Sequence, residues 1–236
     1  MGLYRDQGVV LRTIKLGESD RIITFVTQGH GKVRAVAKGV RKTKSRFGAR
    51  LEPISHVSLL LYEGRELDIV TQAEALDHFR AIREDLDRLG RATAMLEAVD
   101  QVAQERQPGA RLYQMLVGAL RALAARNAPL LLPAFFLKLL ALEGFQPILD
   151  GCAACDSPGP LVAFDLVEGG ALCRSCARGP RVSPEALALM NRILDGGLVG
   201  ALNEPAGATT TEVDRLATRS LEHHLERRLR SVTVLD

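Results

Sequence analysis

Two groups of residues in this 236-residue chain have the types and spacing to do chemistry. The first is Cys152-Ala153-Ala154-Cys155 followed, 17 residues later, by Cys173-Arg174-Ser175-Cys176. A two-residue gap lets both sulfurs of a pair reach one ion, and two such pairs complete a tetrahedron of thiolates. The expected cofactor is therefore one structural zinc ion held by Cys152, Cys155, Cys173 and Cys176. All four positions would be protein ligands, leaving none for substrate or water. Pro158-Gly159-Pro160, the apolar run Leu161–Phe164 and Gly169-Gly170 between the pairs suit a ribbon-type hairpin. A thioredoxin-like redox pair would need a βαβ context that is missing.

The second group is cationic. Arg21, Lys32, Arg34, Lys38, Arg41, Lys42, Lys44, Arg46 and Arg50 fall between positions 21 and 51 with no Asp or Glu among them, and the nearest acids are Asp20 and Glu52. Such a block binds polyanions, of which nucleic acid is the commonest in a cell. These nine are the candidate nucleic-acid-binding residues. Strand periodicity puts Lys32, Arg34, Val36 and Lys38 on one face and the small apolar Val33, Ala35 and Ala37 on the other. Arg41, Lys42, Lys44, Arg46 and Arg50 follow on a loop that could wrap a backbone. Aromatic stacking is a usual second grip on single strands, but the chain has no Trp and Phe47 is the only aromatic in the loop. The expected mode is phosphate tracking with little sequence preference. Phe47 either stacks on a base or anchors the loop.

Catalytic patterns fail on inspection. Gly29-His30-Gly31-Lys32 ends like a phosphate-binding loop, but Val26 and Val33 stand where that loop needs Gly and Ser or Thr. There is no G-x-S-x-G or H-E-x-x-H, and adjacent His223 and His224 on a helix diverge by about 100° and cannot chelate together. No acidic cluster suggests a two-metal nuclease. The reading is of a binding protein rather than an enzyme.

The elements that must position these groups can be read from periodicity. Val9–Lys15, Ile22–Thr27, Lys32–Lys38, His56–Tyr62 and Leu67–Ala75 read as five short strands. In the last, Leu67, Ile69, Thr71, Ala73 and Ala75 alternate against Asp68, Val70, Gln72 and Glu74. Five strands in this length suggest a small oligonucleotide-binding (OB) type β-barrel, with Gly39–Pro53 as a long basic loop. From Phe79 the period becomes helical: one helix to about Gln107, a second to Asn127, and a third from Pro129 to Glu143. Past the cysteines, Ser183-Pro184 opens a helix, and Thr209-x-x-Glu212 is a capping box for a last one reaching about Arg230. The fold class is α+β and multidomain: an OB-type domain at 1–78, a helical domain at 79–147, a zinc module at 148–181, and C-terminal helices packing on the helical domain at 182–236.

Hydrophobic residues at 47% and charged residues at 25% are an ordinary globular balance. The net charge of +3 divides into +5 over residues 1–80 and −2 over the rest, so the basic character is local. No apolar run approaches the roughly 20 residues of a membrane span, and the N-terminus lacks a signal-peptide pattern. The expectation is a cytoplasmic, nucleoid-associated protein with reduced thiols.

The order of motifs resembles the RecO family of bacterial recombination mediators. The resemblance runs from about Gln7 to the C-terminus. It rests on Gly17-Glu18-Ser19-Asp20-Arg21, on Thr27 to Arg46 with Gly31-Lys32 and Ala37-Lys38-Gly39, on Gly64–Glu74, and on Leu142-Glu143-Gly144-Phe145-Gln146-Pro147. It implies an OB barrel, a helical body and a zinc module. It also implies binding of single- and double-stranded DNA, strand annealing, association with RecR and with the tail of single-stranded-DNA-binding protein, and help in loading RecA during gap repair. No short motif places the tail's groove; an apolar groove with a basic rim would suit it. The residues also fit an RNA- or ribosome-associated OB-fold and zinc-ribbon protein, which would prefer structured RNA and lack annealing activity.

Overall fold

The computed structural model describes residues 2–232. Two compact units form, one of Met1–Ala125 with Ser231–Asp236 and one of Arg126–Arg230. The last four positions of the segment expected at 182–236 lie outside the described residues.

In the first unit, β1 (Leu3–Leu16), β2 (Asp20–Thr27), β3 (Gly31–Ala37), β4 (His56–Tyr62) and β5 (Asp68–Asp77) close a barrel in the order β1-β2-β3-β5-β4. Every neighbour is antiparallel except β3 and β5, which run parallel and meet only at Ala35–Asp68 and Val36–Ile69. The alternation expected in β3 is present, with Val33, Ala35 and Ala37 buried in the barrel core beside Val10, Ile23 and Phe25. The alternation expected in β5 is not. Leu60 pairs with Gln72 but Leu61 with Val70, so Thr71 is an extra residue in the ladder. This bulge swaps the faces of the strand. Asp68, Val70 and Ala73 are buried, whereas Ile69 and Thr71 are only partly so.

Asp68 is thus a fully buried carboxylate, and such a group must be paired and hydrogen-bonded. It accepts from the Tyr4 hydroxyl, from Gly64 N–H at 3.0 Å, and from Arg106 Nη2 at 2.8 Å. Burial, then the hydrogen bond to Asp68, raises the Tyr4 pKa well above its ordinary value.

After the single turn α1 (Arg80–Arg83), α2 (Leu86–Val102) starts where Asp85 accepts from Arg88 N–H and drops the first charge onto an N-terminus. α3 (Ala110–Ala125) carries Leu112, Leu116, Leu120 and Leu123 on one buried stripe. Both helices lie against β1, and α3 also against β2, which is why Ile23–Thr27 is buried on both faces. The helix expected from Phe79 to Gln107 is therefore broken in two and ends early, because 103–109 leaves helical geometry to run along β3.

In the second unit, α4 (Leu131–Leu142) is apolar all round and buried except at Lys138 and its last two residues, which marks a central helix. It begins after Pro129 rather than at it. The ribbon β6 (Leu161–Asp165) and β7 (Gly170–Cys173) follows, then α5 (Pro184–Leu194), the short α6 (Leu198–Ala201) and α7 (Ala208–His224), with α5 and α7 packed on α4 and on each other. Ser183 caps α5 as expected, accepting from Ala186 N–H at 3.1 Å. The capping box expected at Thr209 and Glu212 does not form. α7 starts earlier, with Thr210 Oγ1 accepting from Gly207 N–H at 2.9 Å, and Glu212 instead accepts from Ser183 N–H and Oγ–H at 2.9 and 2.6 Å. A tertiary partner has taken the side chain that the local motif would have used. α7 ends at His224, short of Arg230, with Glu226 in the left-handed region. Among the described residues no helix is long and apolar enough to cross a membrane.

One buried site makes the first unit sensitive to acid. His56, 3% exposed on β4, places Nε2 2.6 Å from Tyr113 Oη on α3, while its Nδ1 has no partner. Burial, reinforced by Arg121, pushes the His56 pKa down. The unfolded chain therefore takes up a proton before the folded chain does. Stability should fall as pH drops below about 6.5, by at most about 1.4 kcal/mol per pH unit, and level off below the folded pKa. Denaturant titrations of the wild type and of His56→Gln at pH 7.5 and 5.5 check this: the variant should lose part of the pH dependence. An equal dependence in both would show that His56 does not contribute.

Candidate nucleic-acid interface and metal site

The structure divides the nine candidate cations into two sets. Arg21, Lys32 and Arg34 each face a carboxylate. Arg21 Nη1 lies 2.7 Å from Glu52. Lys32, with 15% of its side chain exposed, donates to the Asp100 carbonyl and lies 3.5 Å from Asp100 Oδ1, and Arg12 approaches Oδ2 of the same residue at 2.6 Å. Arg34 lies 3.8 Å from Glu105. The strand face thus presents its cations outward as the period requires, but the end of α2 and the segment after it cover that face. Sequence reasoning missed Asp100, Glu105 and Asp68. Asp100 and Glu105 sit some 70 residues away in an ordinary helical pattern, and the bulge that turns Asp68 inward leaves no compositional mark.

The other six, Lys38, Arg41, Lys42, Lys44, Arg46 and Arg50, are all exposed, and among the described residues none of them forms an ion pair. Their loop is nonetheless held firmly. Phe47 and Leu51, both 1% exposed, insert into the barrel core. Phe47 is therefore an anchor, and its ring is not available to a base. Arg46 lies over that ring, its guanidinium carbon 4.8 Å from the centroid. A 3-10 turn at Gly48–Leu51 and the bonds Ser45 N–H to Lys42 O and Arg50 Nη1 to Arg46 O, at 2.9 and 2.7 Å, fix the tip.

At the stem, Asp20 accepts from Gly39 N–H at 2.7 Å and from the Ser19 hydroxyl at 2.9 Å. The Gly39 amide first, then Ser19, with Lys38 and Lys42 adding to them, hold the Asp20 carboxyl below its usual pKa. The two acids that bound the basic run, Asp20 and Glu52, are thus each partnered by groups of the protein itself. What remains facing solvent is a preformed cationic loop.

The four cysteines come together in the second unit. Cys152 follows the strand-like contact of Ile148 with Gly170, Cys173 ends β7, and each pair closes a turn, Cys155 N–H to Cys152 O and Cys176 N–H to Cys173 O, both 3.2 Å. All four sulfurs lie within 4.8 Å of one another, and Cys155 and Cys173 are 3.8 Å apart. A tetrahedron with Zn–S bonds of about 2.3 Å has edges of about 3.8 Å, so the donor set fits zinc. The Cys173 backbone N–H, with those of Ala154 and Cys155 in support, brings the Cys152 thiol down to about 6, whereas hydrogen bonds with Cys155 and Cys173 push Cys176 up to about 12. Four thiolates this close would repel one another, and a cation between them would remove that repulsion. The apolar cluster around the sulfurs is small, with Cys152, Ala163, Leu172 and Cys173 and a few partly buried neighbours. So small a core cannot support itself, and a bound ion would contribute folding free energy directly.

The second unit also has a cleft of about 540 Å³ lined by Leu140, Phe145, Ile148, Phe164 and Val167. His224 stacks there on Phe145 with ring centroids 4.0 Å apart, so it packs rather than chelates. The rim holds Glu168 and Glu226 beside the two histidines, not the basic rim that would suit an acidic tail.

For the metal site, Cys173→Ser should lower bound zinc to well below one equivalent in a metal assay and reduce the thermal midpoint by several degrees. A fully loaded, equally stable variant would show the quartet to be misassigned.

Comparison with known families agrees with the arrangement of barrel, helices and cysteine quartet. The family model described as recombination protein O N terminal matches residues 1–79, and the one described as recombination protein O C terminal matches residues 83–233. Together they span nearly the whole chain, and the protein belongs to the RecO family of DNA recombination and repair mediators.

Proposed function

We propose that this protein is a non-enzymatic mediator that holds DNA by its backbone on the loop Gly39–Pro53 and brings complementary strands together. The observation that carries this reading is the loop itself: five exposed cations, with Lys38 immediately before them, on a backbone pinned by Phe47 and Leu51 in the barrel core. A preformed loop loses little freedom on binding, so its charge acts on the ligand rather than on ordering the protein. Neutralised phosphates lower the repulsion between two strands, and base pairing then supplies the specificity. With Phe47 buried, the loop itself presents no aromatic to bases, and single and double strands are both acceptable.

Family membership supports the wider part of the reading: action with RecR on strands coated by single-stranded-DNA-binding protein, help in loading RecA, and residence at the nucleoid. The zinc ion would hold the ribbon Leu161–Cys173 in shape and take no part in the reaction.

If about six phosphates are engaged, log K for a single strand should fall with log salt at a slope near −4. Lys42→Ala with Lys44→Ala and Arg46→Ala should weaken binding to all sequences alike and reduce that slope by about 2. Fluorescence anisotropy across a salt series measures both, and an unchanged slope would remove the loop from the site. Annealing of coated complementary strands, with and without the protein, tests the mediator role. Tighter binding to structured RNA than to DNA would count against it.

A further inference from the structure

The cations of β3 are not all held alike. Lys32 is committed: its side chain is mostly buried on Asp100, and its backbone N–H and C=O bond Gln104 O and Arg106 N–H at 3.0 and 3.1 Å. Arg34 is different. It faces Glu105 at 3.8 Å with 38% of its side chain exposed against 60% for Glu105, and its buried Nε has no hydrogen-bond partner. The guanidinium is therefore underused, and an exposed pair of this geometry is weak.

Glu105, by contrast, cannot drift away along its chain. Gln104 on one side and Arg106 on the other are both bonded to Lys32, and Arg106 is also tied to Asp68. The carboxylate is thus kept beside Arg34 by its backbone rather than by the strength of the pair. Carboxylate and phosphodiester oxygens are equivalent acceptors for a guanidinium, so one displaces the other. Lys38 follows in the turn directly past the end of β3, four residues on from Arg34 and next to the exposed loop, so a backbone leaving the loop can continue along β3.

We propose that Arg34 is a reserve phosphate contact and that Glu105 sets its availability, standing in for a phosphate until a nucleic-acid backbone replaces it. This rests on the loop being a DNA-backbone site. Glu105 then limits how many phosphates the protein engages, and so its affinity and salt dependence, without touching DNA itself.

The test is a cycle on the full-length protein with a fluorescent oligothymidylate across a salt series. Glu105→Gln should tighten binding about three- to fivefold at low salt and steepen the slope by about 0.7, the value of one added single-strand phosphate contact. Arg34→Gln alone should change affinity by less than about twofold, since the contact it removes is masked. In the double variant the gain should disappear. No gain in Glu105→Gln, or a gain that survives in the double variant, overturns the proposal. Glu105 is exposed, so a matched thermal midpoint for each variant confirms that folding is not the cause. The loop triple variant, run alongside, separates the two readings: if it binds as the wild type does, the loop assignment fails whatever the cycle shows.

Discussion

β3 has one edge that β5 reaches at only two residues, Ala35 and Val36. The rest of that edge carries backbone groups that need partners, because a barrel is stable only when no strand edge is left open. The segment after α2 supplies them, with Gln104 O and Arg106 N–H bonding the two backbone groups of Lys32. The fit leaves no room for a side chain at Gly31, where a Cβ would stand 1.8 Å from Gln107 O and φ is +63°. Arg106 continues the seal by reaching the buried Asp68, itself turned inward by the bulge at Thr71. Closure of the barrel, the path of the α2–α3 connection and the burial of a carboxylate are thus one arrangement.

This closure also decides which basic residues can meet a ligand. The segment that seals β3 brings Asp100 and Glu105 over the strand's outward face, where they take up Arg12, Lys32 and Arg34. The loop between β3 and β4 escapes because it leaves the barrel beyond the seal. Two apolar residues pull its base into the core, and Asp20 fixes its stem, so its cations project from a rigid support. A charge block that is uniform in sequence becomes a paired strand and an exposed loop.

The cysteine module follows a different logic. Its pairs lie on short turns around a two-stranded ribbon, and its apolar core is too small to be stable without help. The donor geometry, rather than packing, defines the module. Nearby, the second unit relies on α4, whose apolar faces are covered by α5 and α7, with Glu212 joining α7 to the cap of α5.

Local signals in the sequence were enough to determine the five strands, the inward set of β3, the Ser183 cap and the clustering of the four cysteines. Each depends on a two-residue period or a fixed short spacing, which backbone geometry turns directly into a side-chain direction. Four features were decided only by the tertiary structure: the bulge that buries Asp68, the break after α2, the use of Glu212 on another helix, and the division of the basic block. Each arises where a residue distant in sequence offers a hydrogen bond or a charge that outweighs the local preference. The nine cations could be named from the sequence; which of them stay outside ion pairs among the described residues depended on where the chain placed Glu52, Asp100 and Glu105.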